Sequence, residues 1–268
     1  MISISEIKSA INLPVIAEIP IENNGNPIAI NEGPATATSE QLRALRTKLH
    51  YIHGNRSNGR VTLVTSSIAG EGKSFVSTNL SISLALTQRK VVLLELDMRK
   101  PKVTKVFNIN NDNLGLSDYF MNKASISSII QKSGIASNLD IIGSGTPIHN
   151  PAELLEKSEL EVLIDELRKT YDDIVIDSPP VHLVPDAVTV SKHADTCLYI
   201  VRQGITSKNE LTFLQSLIDQ DQLKNVSIVF NSINSVKHGY GYKYDNSYYN
   251  HTKRNVLQSI FSDFKNRF

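Results

Sequence analysis

Short runs of aliphatic and β-branched residues alternate along the chain with segments whose apolar positions recur every three or four residues. The runs predict buried strands, and the recurring positions predict amphipathic helices between them. The predicted strands cover residues 13–20, 61–64, 91–96, 139–142, 173–177, 196–201 and 226–230. Buried strands that alternate with helices are typical of parallel βαβ units. The pattern therefore predicts an α/β fold with a doubly wound, mostly parallel sheet flanked by helices.

The strand predicted at 61–64 leads into a turn rich in serine and glycine, and a helical pattern then runs to Leu86. The turn ends Gly70-Glu71-Gly72-Lys73-Ser74. Glycines let backbone N–H groups surround an anion, a lysine reaches the β- and γ-phosphates, and a serine hydroxyl ligates Mg²⁺. This order predicts a P-loop NTPase fold, although Ser67 occupies the place of the first glycine of G-x-x-x-x-G-K-[ST]. The residues expected at the nucleotide are Ala69, Gly70, Glu71, Gly72, Lys73, Ser74, Phe75 and Arg99.

Three acidic residues follow buried strands and are candidates for the chemistry. Asp177 ends an apolar strand, as an acid that holds Mg²⁺ through water does in P-loop proteins. Glu95 and Asp97 are two residues apart, so on an extended strand they point the same way. Such a pair offers a metal ligand and a proton acceptor. The alternative, ordinary surface turns, is less consistent with Glu95, because burying an unpaired carboxylate is costly.

Composition narrows the class of protein. The 268 residues are 40% hydrophobic and 21% charged, as in soluble globular proteins, and the net charge of +1 argues against nucleic-acid binding by bulk charge. The single cysteine, Cys197, lies in an apolar strand pattern and predicts a buried, inert thiol and a reducing compartment. No run of 18 apolar residues and no secretory signal pattern is present, so we expect no membrane span in this chain.

The linker and the tail divide the chain into three parts. Residues 22–38 are rich in Asn, Gly, Pro and Thr and predict a long loop. Ser39 is the expected N-cap of a helix at 39–53. We therefore expect an N-terminal segment and linker at 1–38, a P-loop domain at 39–236, and a tail at 237–268. The remaining predicted helices lie at 5–13, 150–167, 186–193 and 207–217, with short helices and loops at 102–138.

Two polar features have more than one interpretation. Glu40, Arg43 and Arg46 form a charged stripe on the helix at 39–53, and spacing alone favours a solvated face. The tail holds a tyrosine cluster among spacers that cannot build a core, followed by a short amphipathic helical pattern at 256–264. The cluster is either a stacking surface or a substrate. Its members are Tyr240, Tyr242, Tyr244, Tyr248 and Tyr249.

Four motifs together carry a resemblance over nearly the whole chain. They are SSIAGEGKS at 66–74, ELDMRKP at 95–101, YDDIVIDSPP at 171–180 and the tyrosine cluster of the tail. This combination resembles the bacterial tyrosine kinases (BY-kinases), the cytoplasmic kinase domains of polysaccharide co-polymerases that control capsule and exopolysaccharide export. The stripe of Glu40, Arg43 and Arg46 is similar to the family's oligomerisation motif.

The resemblance implies an ATP-dependent protein-tyrosine kinase that autophosphorylates its tail tyrosines in trans. It implies phosphate binding by Lys73, Mg²⁺ binding by Ser74, Asp97 and Asp177, and proton acceptance by Glu95, either alone or together with Asp97. It also implies a ring-shaped homo-oligomer, with an octamer as the family's form. A membrane-spanning half in the same or a partner chain would hold the domain at the inner face of the cell membrane. A cognate tyrosine phosphatase is a further implied partner, and no nucleic acid is expected.

Departures from the family pattern leave alternatives open. Glu95 stands where the family usually has aspartate, and Ala69 stands where it usually has proline. One alternative is an ATPase switch of the partitioning or cluster-scaffold type, but Ile68 replaces the signature lysine of partitioning relatives and no C-x-x-C motif is present. The other is an assembly module whose nucleotide only sets the oligomeric state, without tyrosine kinase output.

Overall fold

A computed structural model describes residues 2–21, 25–30, 35–54, 56, 58–110 and 113–234. Within these residues the chain forms an eight-stranded sheet in the order β1-β8-β7-β2-β6-β3-β5-β4. Neighbouring strands are parallel except for β4 and β5. The strands are β1 Val15–Pro20, β2 Arg60–Ser66, β3 Val91–Glu95, β4 Gln131–Lys132, β5 Leu139–Ile142, β6 Asp173–Asp177, β7 Thr196–Arg202 and β8 Val226–Ile233.

Helices connect the strands and cover both faces of the sheet. They are α1 Ile4–Ala10, α2 Ala37–His53, α3 Lys73–Ala85, α4 Val103–Val106, α5 Leu116–Phe120, α6 Ile126–Ile129, α7 Pro151–Leu155, α8 Ser158–Thr170, α9 Asp186–Ser191 and α10 Lys208–Asp219. No helix of the described residues combines the length and the apolar character needed to cross a bilayer.

The central strands are buried on both faces, which explains their continuous apolar sequence. Every residue of β2, β3 and β6 is buried. Alternate residues belong to two separate cores: Val64 packs in the core that contains Leu42 and Leu80, whereas Leu63 packs in the core that contains Leu163. Helices therefore cover each face, and the predicted doubly wound α/β sheet is confirmed.

Strand register brings the candidate residues to one edge. Val64 of β2 pairs with Asp177 of β6, and Glu95 of β3 pairs with the same residue from the other side. The P-loop follows β2 directly, so it leaves the sheet beside these two acids. Ligand sites in such folds lie at the carboxyl ends of the strands, where these residues meet.

The N-terminal part differs from the sequence expectation in two ways. Helix α2 begins at Ala37, with Thr36 rather than Ser39 as its N-cap. Thr36 Oγ1 accepts the N–H of Ser39, and Ser39 Oγ accepts the N–H of Thr36, so the expected cap residue is the third residue of the helix. Part of the expected linker also packs on the domain: Asn79 Oδ1 accepts the N–H of Ala29 at 2.7 Å, and Ala29 is buried.

Candidate functional site

The P-loop adopts the backbone conformation that its glycines predict. Gly70 and Gly72 have φ angles of +87° and +101°, a region that side chains disfavour. A Cβ on Gly72 would lie 2.1 Å from Asn231 Nδ2, so glycine is required there for space as well. Gly72 is the N-cap of α3, which begins at Lys73. The first amides of this 13-residue helix therefore point into the loop, where an anion would complement them.

Contacts from β7, β8 and the loop after β7 hold the P-loop. Glu71 is fully buried, and its carboxylate accepts the N–H of Ile68 at 2.8 Å and the hydroxyl of Thr206. Asn231 Nδ2 donates to the carbonyl of Glu71 at 2.9 Å, and Arg202 Nη1 donates to the carbonyl of Gly70 at 2.6 Å. The side chain of Glu71 therefore braces the loop and does not face a ligand.

Ser74 and Asp177 meet at the start of α3. The hydroxyl of Ser74 donates to Asp177 Oδ2 at 2.8 Å. Asp177 Oδ1 is buried and has no hydrogen-bond partner among the described residues. Burial raises the pKa of Asp177 from 3.8 to about 7, while the Ser74 hydrogen bond and the charge of Lys73 act in the opposite direction. A buried carboxylate with an unused oxygen beside a hydroxyl is a pair of oxygen ligands suited to a hard cation.

Lys73 is a buried cation of this site. Its side chain is only 7% exposed, and burial lowers its pKa, against the opposing charges of Asp177, Asp97 and Glu71. A cavity of about 300 Å³ opens beside it. The cavity is lined by Pro27, Gly70, Gly72, Lys73, Ser74, Phe75, Lys102, Val106 and Arg202.

Glu95 is fully buried and its carboxylate is engaged by the start of α4. The carboxylate accepts the backbone N–H groups of Lys102 and Val103. Its Oε2 also accepts the hydroxyl of Thr104 at 3.0 Å and the N–H of that residue at 3.4 Å. Burial raises the pKa of Glu95, and these hydrogen bonds oppose the rise. Both oxygens are therefore occupied, which argues against the expected role of Glu95 as proton acceptor.

Asp97 and Arg99 lie in the loop after β3. Asp97 is half-buried, and its Oδ1 accepts the N–H of Lys100 at 3.0 Å. Arg99 Nη2 lies 3.5 Å from Asp186 Oδ1, so its guanidinium is directed to an acid of α9 rather than into the cavity. Asp186 is 1% exposed, and its Oδ2 has no partner among the described residues. Burial raises the pKa of Asp186, and the charge of Arg99 opposes this.

The charged stripe of α2 is divided between two environments. Arg43 pairs with Glu40 on the same helix, and both side chains are about one-third exposed. Arg46 instead donates to the carbonyl of Ser83 on α3 at 2.8 Å, and burial lowers its pKa. Arg46 therefore joins two helices of one chain, whereas Glu40 and Arg43 remain accessible to another molecule.

The residues present fit a nucleotide with Mg²⁺. The N-terminal amides of α3, a buried lysine and a cavity beside them suit phosphate groups. Ser74 and Asp177, with Asp97 nearby, offer oxygen ligands, although the described residues form no cluster of three or more His, Cys, Asp or Glu side chains able to hold a metal unaided. A bound nucleotide would supply the missing oxygens.

Several residues of the candidate site lie outside the sequence motifs. Lys102, Arg202, Thr206 and Asn231 line the cavity or brace the loop, but they come from segments far apart in the chain. Their positions were the only signal: Arg202 ends β7 and Asn231 lies near the end of β8. Thr206 follows β7, and Lys102 follows Pro101. Cys197 is buried as expected, and burial raises the pKa of its thiol to about 12. The tail tyrosines and the helical pattern at 256–264 lie outside the described residues.

Comparisons with known proteins agree with this geometry. The AAA domain family matches residues 59–220. The chain is 33% identical to the tyrosine-protein kinase YwqD of Bacillus subtilis over 218 residues, which cover 81% of this chain and 90% of that protein. It is 34% identical to the tyrosine-protein kinase wzc of Salmonella typhimurium over 200 residues, which cover 75% of this chain but only 27% of the relative.

Solved structures give the same result. The kinase domain of the Escherichia coli tyrosine kinase ETK superposes with a TM-score of 0.79 at 25% sequence identity. The superposition covers 91% of this chain and 100% of that domain. The similarity therefore extends over the sheet, the P-loop and the acidic strand ends together.

Proposed function

This chain belongs to the bacterial tyrosine-protein kinases, and we propose that it transfers the γ-phosphoryl group of ATP to tyrosine hydroxyls. The observation that carries the proposal is the pair formed by Ser74 and Asp177 beside Lys73, with an unused carboxylate oxygen at the start of α3. Phosphoryl transfer needs aligned reactants and neutralised charge more than covalent help from the protein.

Each residue of the site has a role in this proposal. The P-loop amides and Lys73 would hold the phosphates, and Ser74 and Asp177 would hold Mg²⁺, which leaves Asp97 for the proton transfer considered next. When bound, Mg-ATP supplies the phosphoryl group and a divalent positive charge. Burial suits this arrangement, because charges interact more strongly in a site that excludes water.

The tyrosine proton needs a carboxylate, since the pKa of a phenol is about 10. We assign the role of proton acceptor to Asp97. Asp97 is half-buried, whereas the carboxylate of Glu95 already accepts hydrogen bonds from residues 102–104. The expected role of Glu95 as acceptor is thus replaced here by a role in shaping the loop that follows β3.

The substrate in this proposal is the tail cluster Tyr240, Tyr242, Tyr244, Tyr248 and Tyr249, phosphorylated by a neighbouring subunit. The subunits form a closed ring through Glu40 and Arg43, in which Arg46 contributes by fixing α2 on α3. A membrane-spanning co-polymerase half holds the domain at the inner membrane face, where it regulates exopolysaccharide or capsule export. A tyrosine phosphatase reverses the modification.

A phosphotyrosine assay tests the proposal. Purified chain is incubated with Mg-ATP and probed for phosphotyrosine, alongside Lys73→Met and the matched control Lys123→Met, whose side chain is exposed outside the cavity. We expect label in wild type and Lys123→Met and none in Lys73→Met. Equal label in Lys73→Met would contradict the assignment, and ATP hydrolysis without phosphotyrosine would favour the ATPase-switch alternative.

Transfer between subunits has its own test. Lys73→Met protein with an intact tail is mixed with active protein whose five tail tyrosines are replaced by phenylalanine. Label on the Lys73→Met chain is the expected result. If that chain stays unlabelled while wild type labels itself, phosphorylation in trans is wrong.

A further inference from the structure

Lys102 lines the same cavity as the P-loop, although no motif drew attention to it. Its side chain is exposed and borders the cavity together with Lys73 and Ser74. Burial is the main cause of the lowered pKa of Lys73, and the positive charge of Lys102 lowers it further. Two ammonium groups repel each other across an empty cavity, but both attract a polyanion that binds between them. The cavity therefore carries a second ammonium group, besides the guanidinium of Arg202, where phosphate groups would bind.

Glu95 fixes the backbone segment from which the side chain of Lys102 extends. Its carboxylate accepts the N–H of Lys102 itself and that of Val103, and Thr104 adds its hydroxyl. Hydrogen bonds to a carboxylate are stronger than those between neutral groups. Because Glu95 is fully buried at the end of β3, these contacts tie Lys102 to the rigid sheet.

We propose that Lys102 binds the β- and γ-phosphate groups of the nucleotide, and that Glu95 is the positioning residue that holds Lys102 at the cavity. The inference rests on the nucleotide site of the proposed function. It gives different roles to the two acids at the end of β3 and in the loop that follows. Glu95 affects nucleotide binding through Lys102, and Asp97 acts on the reacting groups.

Nucleotide titration calorimetry tests the role of Lys102. The probes are a non-hydrolysable ATP analogue, ADP and AMP, each with Mg²⁺, and the variants are Lys102→Met, Lys73→Met and the matched control Lys105→Met. Lys105 lies on α4, whose N-cap residue is Lys102, but borders a different cavity. Loss of one charge-assisted contact should weaken the ATP analogue about tenfold in Lys102→Met. The loss should be smaller for ADP and absent for AMP, and Lys105→Met should bind like wild type.

The outcomes distinguish this inference from the proposed function. Wild-type affinity in Lys102→Met, with binding lost in Lys73→Met, would overturn the inference and leave the nucleotide site intact. An equal loss for all three nucleotides would also overturn it, because a phosphate contact must depend on the number of phosphates. Full affinity in Lys73→Met would instead refute the nucleotide site itself.

A double-mutant cycle tests the role of Glu95. Glu95→Gln should weaken the ATP analogue several-fold in wild type and cause no further loss in the Lys102→Met background, because coupled residues are not additive. In turnover, the KM for ATP should rise while kcat and its pH profile stay unchanged. Additive losses would overturn the positioning role, as would a fall in kcat at unchanged ATP affinity, which would return Glu95 to proton transfer.

A milder variant keeps the test decisive if circular dichroism shows that Glu95→Gln does not fold. Thr104→Val removes only the hydroxyl that Glu95 accepts at 3.0 Å. The expected loss of affinity for the ATP analogue is again confined to chains that carry Lys102. A loss of equal size in the Lys102→Met background would overturn the positioning role.

Discussion

Replacing Asp177 by asparagine should stabilise the nucleotide-free protein at high pH and not at low pH. Asp177 is completely buried, its Oδ1 has no partner among the described residues, and burial raises its pKa from 3.8 to about 7. Above pH 7 the folded protein must therefore hold a charge that water would solvate better. Asparagine keeps the shape and an oxygen for the hydroxyl of Ser74 but carries no charge.

The magnitude follows from the two pKa values. A pKa shift of about 3 corresponds to a free-energy difference of about 4 kcal/mol between the two protonation states. A group whose pKa is raised on folding adds stability that is complete below its unfolded pKa of 3.8 and is lost as the pH rises through about 7. Between pH 5 and pH 8.5, wild type should therefore lose up to about 3 kcal/mol relative to Asp177→Asn.

Urea unfolding followed by circular dichroism, with EDTA and no nucleotide, measures this difference at both pH values. Asp165→Asn is the control, because Asp165 is an exposed carboxylate on α8. Its effect should be the same at both pH values. A stability difference between wild type and Asp177→Asn that does not change with pH would refute the reasoning. With Mg²⁺ and ADP present, Asp177→Asn should instead lose ligand-induced stabilisation.

Three further substitutions test the bracing of the site. Gly72→Ala should abolish nucleotide binding in a titration, because the added Cβ would lie 2.1 Å from Asn231 Nδ2 at a φ of +101°. Gly134→Ala, at a φ of +71° with open space around the added Cβ and outside the cavity, should bind normally. Thr206→Val should lower the free energy of unfolding by about 1–3 kcal/mol, because buried Glu71 loses a donor, whereas Thr206→Ser should not. Arg46→Ala should lower the melting temperature through its lost contact with Ser83, unlike Arg43→Ala, which removes a surface pair; equal melting temperatures would contradict this.

Continuous apolar runs made most of the sheet predictable, because strands buried on both faces need them. β4, Gln131–Lys132, is two polar residues long and pairs antiparallel at the sheet edge, so it left no pattern to read. The N-cap of α2 was misjudged by three positions because Thr36 and Ser39 are both good caps and bind each other reciprocally. Hydrophobic periodicity therefore identified elements better than their boundaries.

The candidate site was predictable where a local motif supplied it. The P-loop residues and Asp177 lie in short motifs that follow buried strands in a recognisable order, and the sheet brings them together. The pairing of Glu95 with Asp97 assumed an extended strand, but β3 ends at Glu95, so strand alternation does not extend to Asp97. The contacts of Glu95 with residues 102–104 depend on tertiary folding of the next loop, which no spacing rule describes.

We infer that the site of Lys73, Ser74 and Asp177 transfers phosphate to tyrosine. The most direct measurement is mass spectrometry of the purified chain after incubation with Mg-ATP, with phosphosites mapped across residues 237–268. We expect phosphate on tyrosines of the cluster from Tyr240 to Tyr249, and none when Lys73 is replaced by methionine. ATP consumption with no phosphotyrosine anywhere in the chain would contradict it.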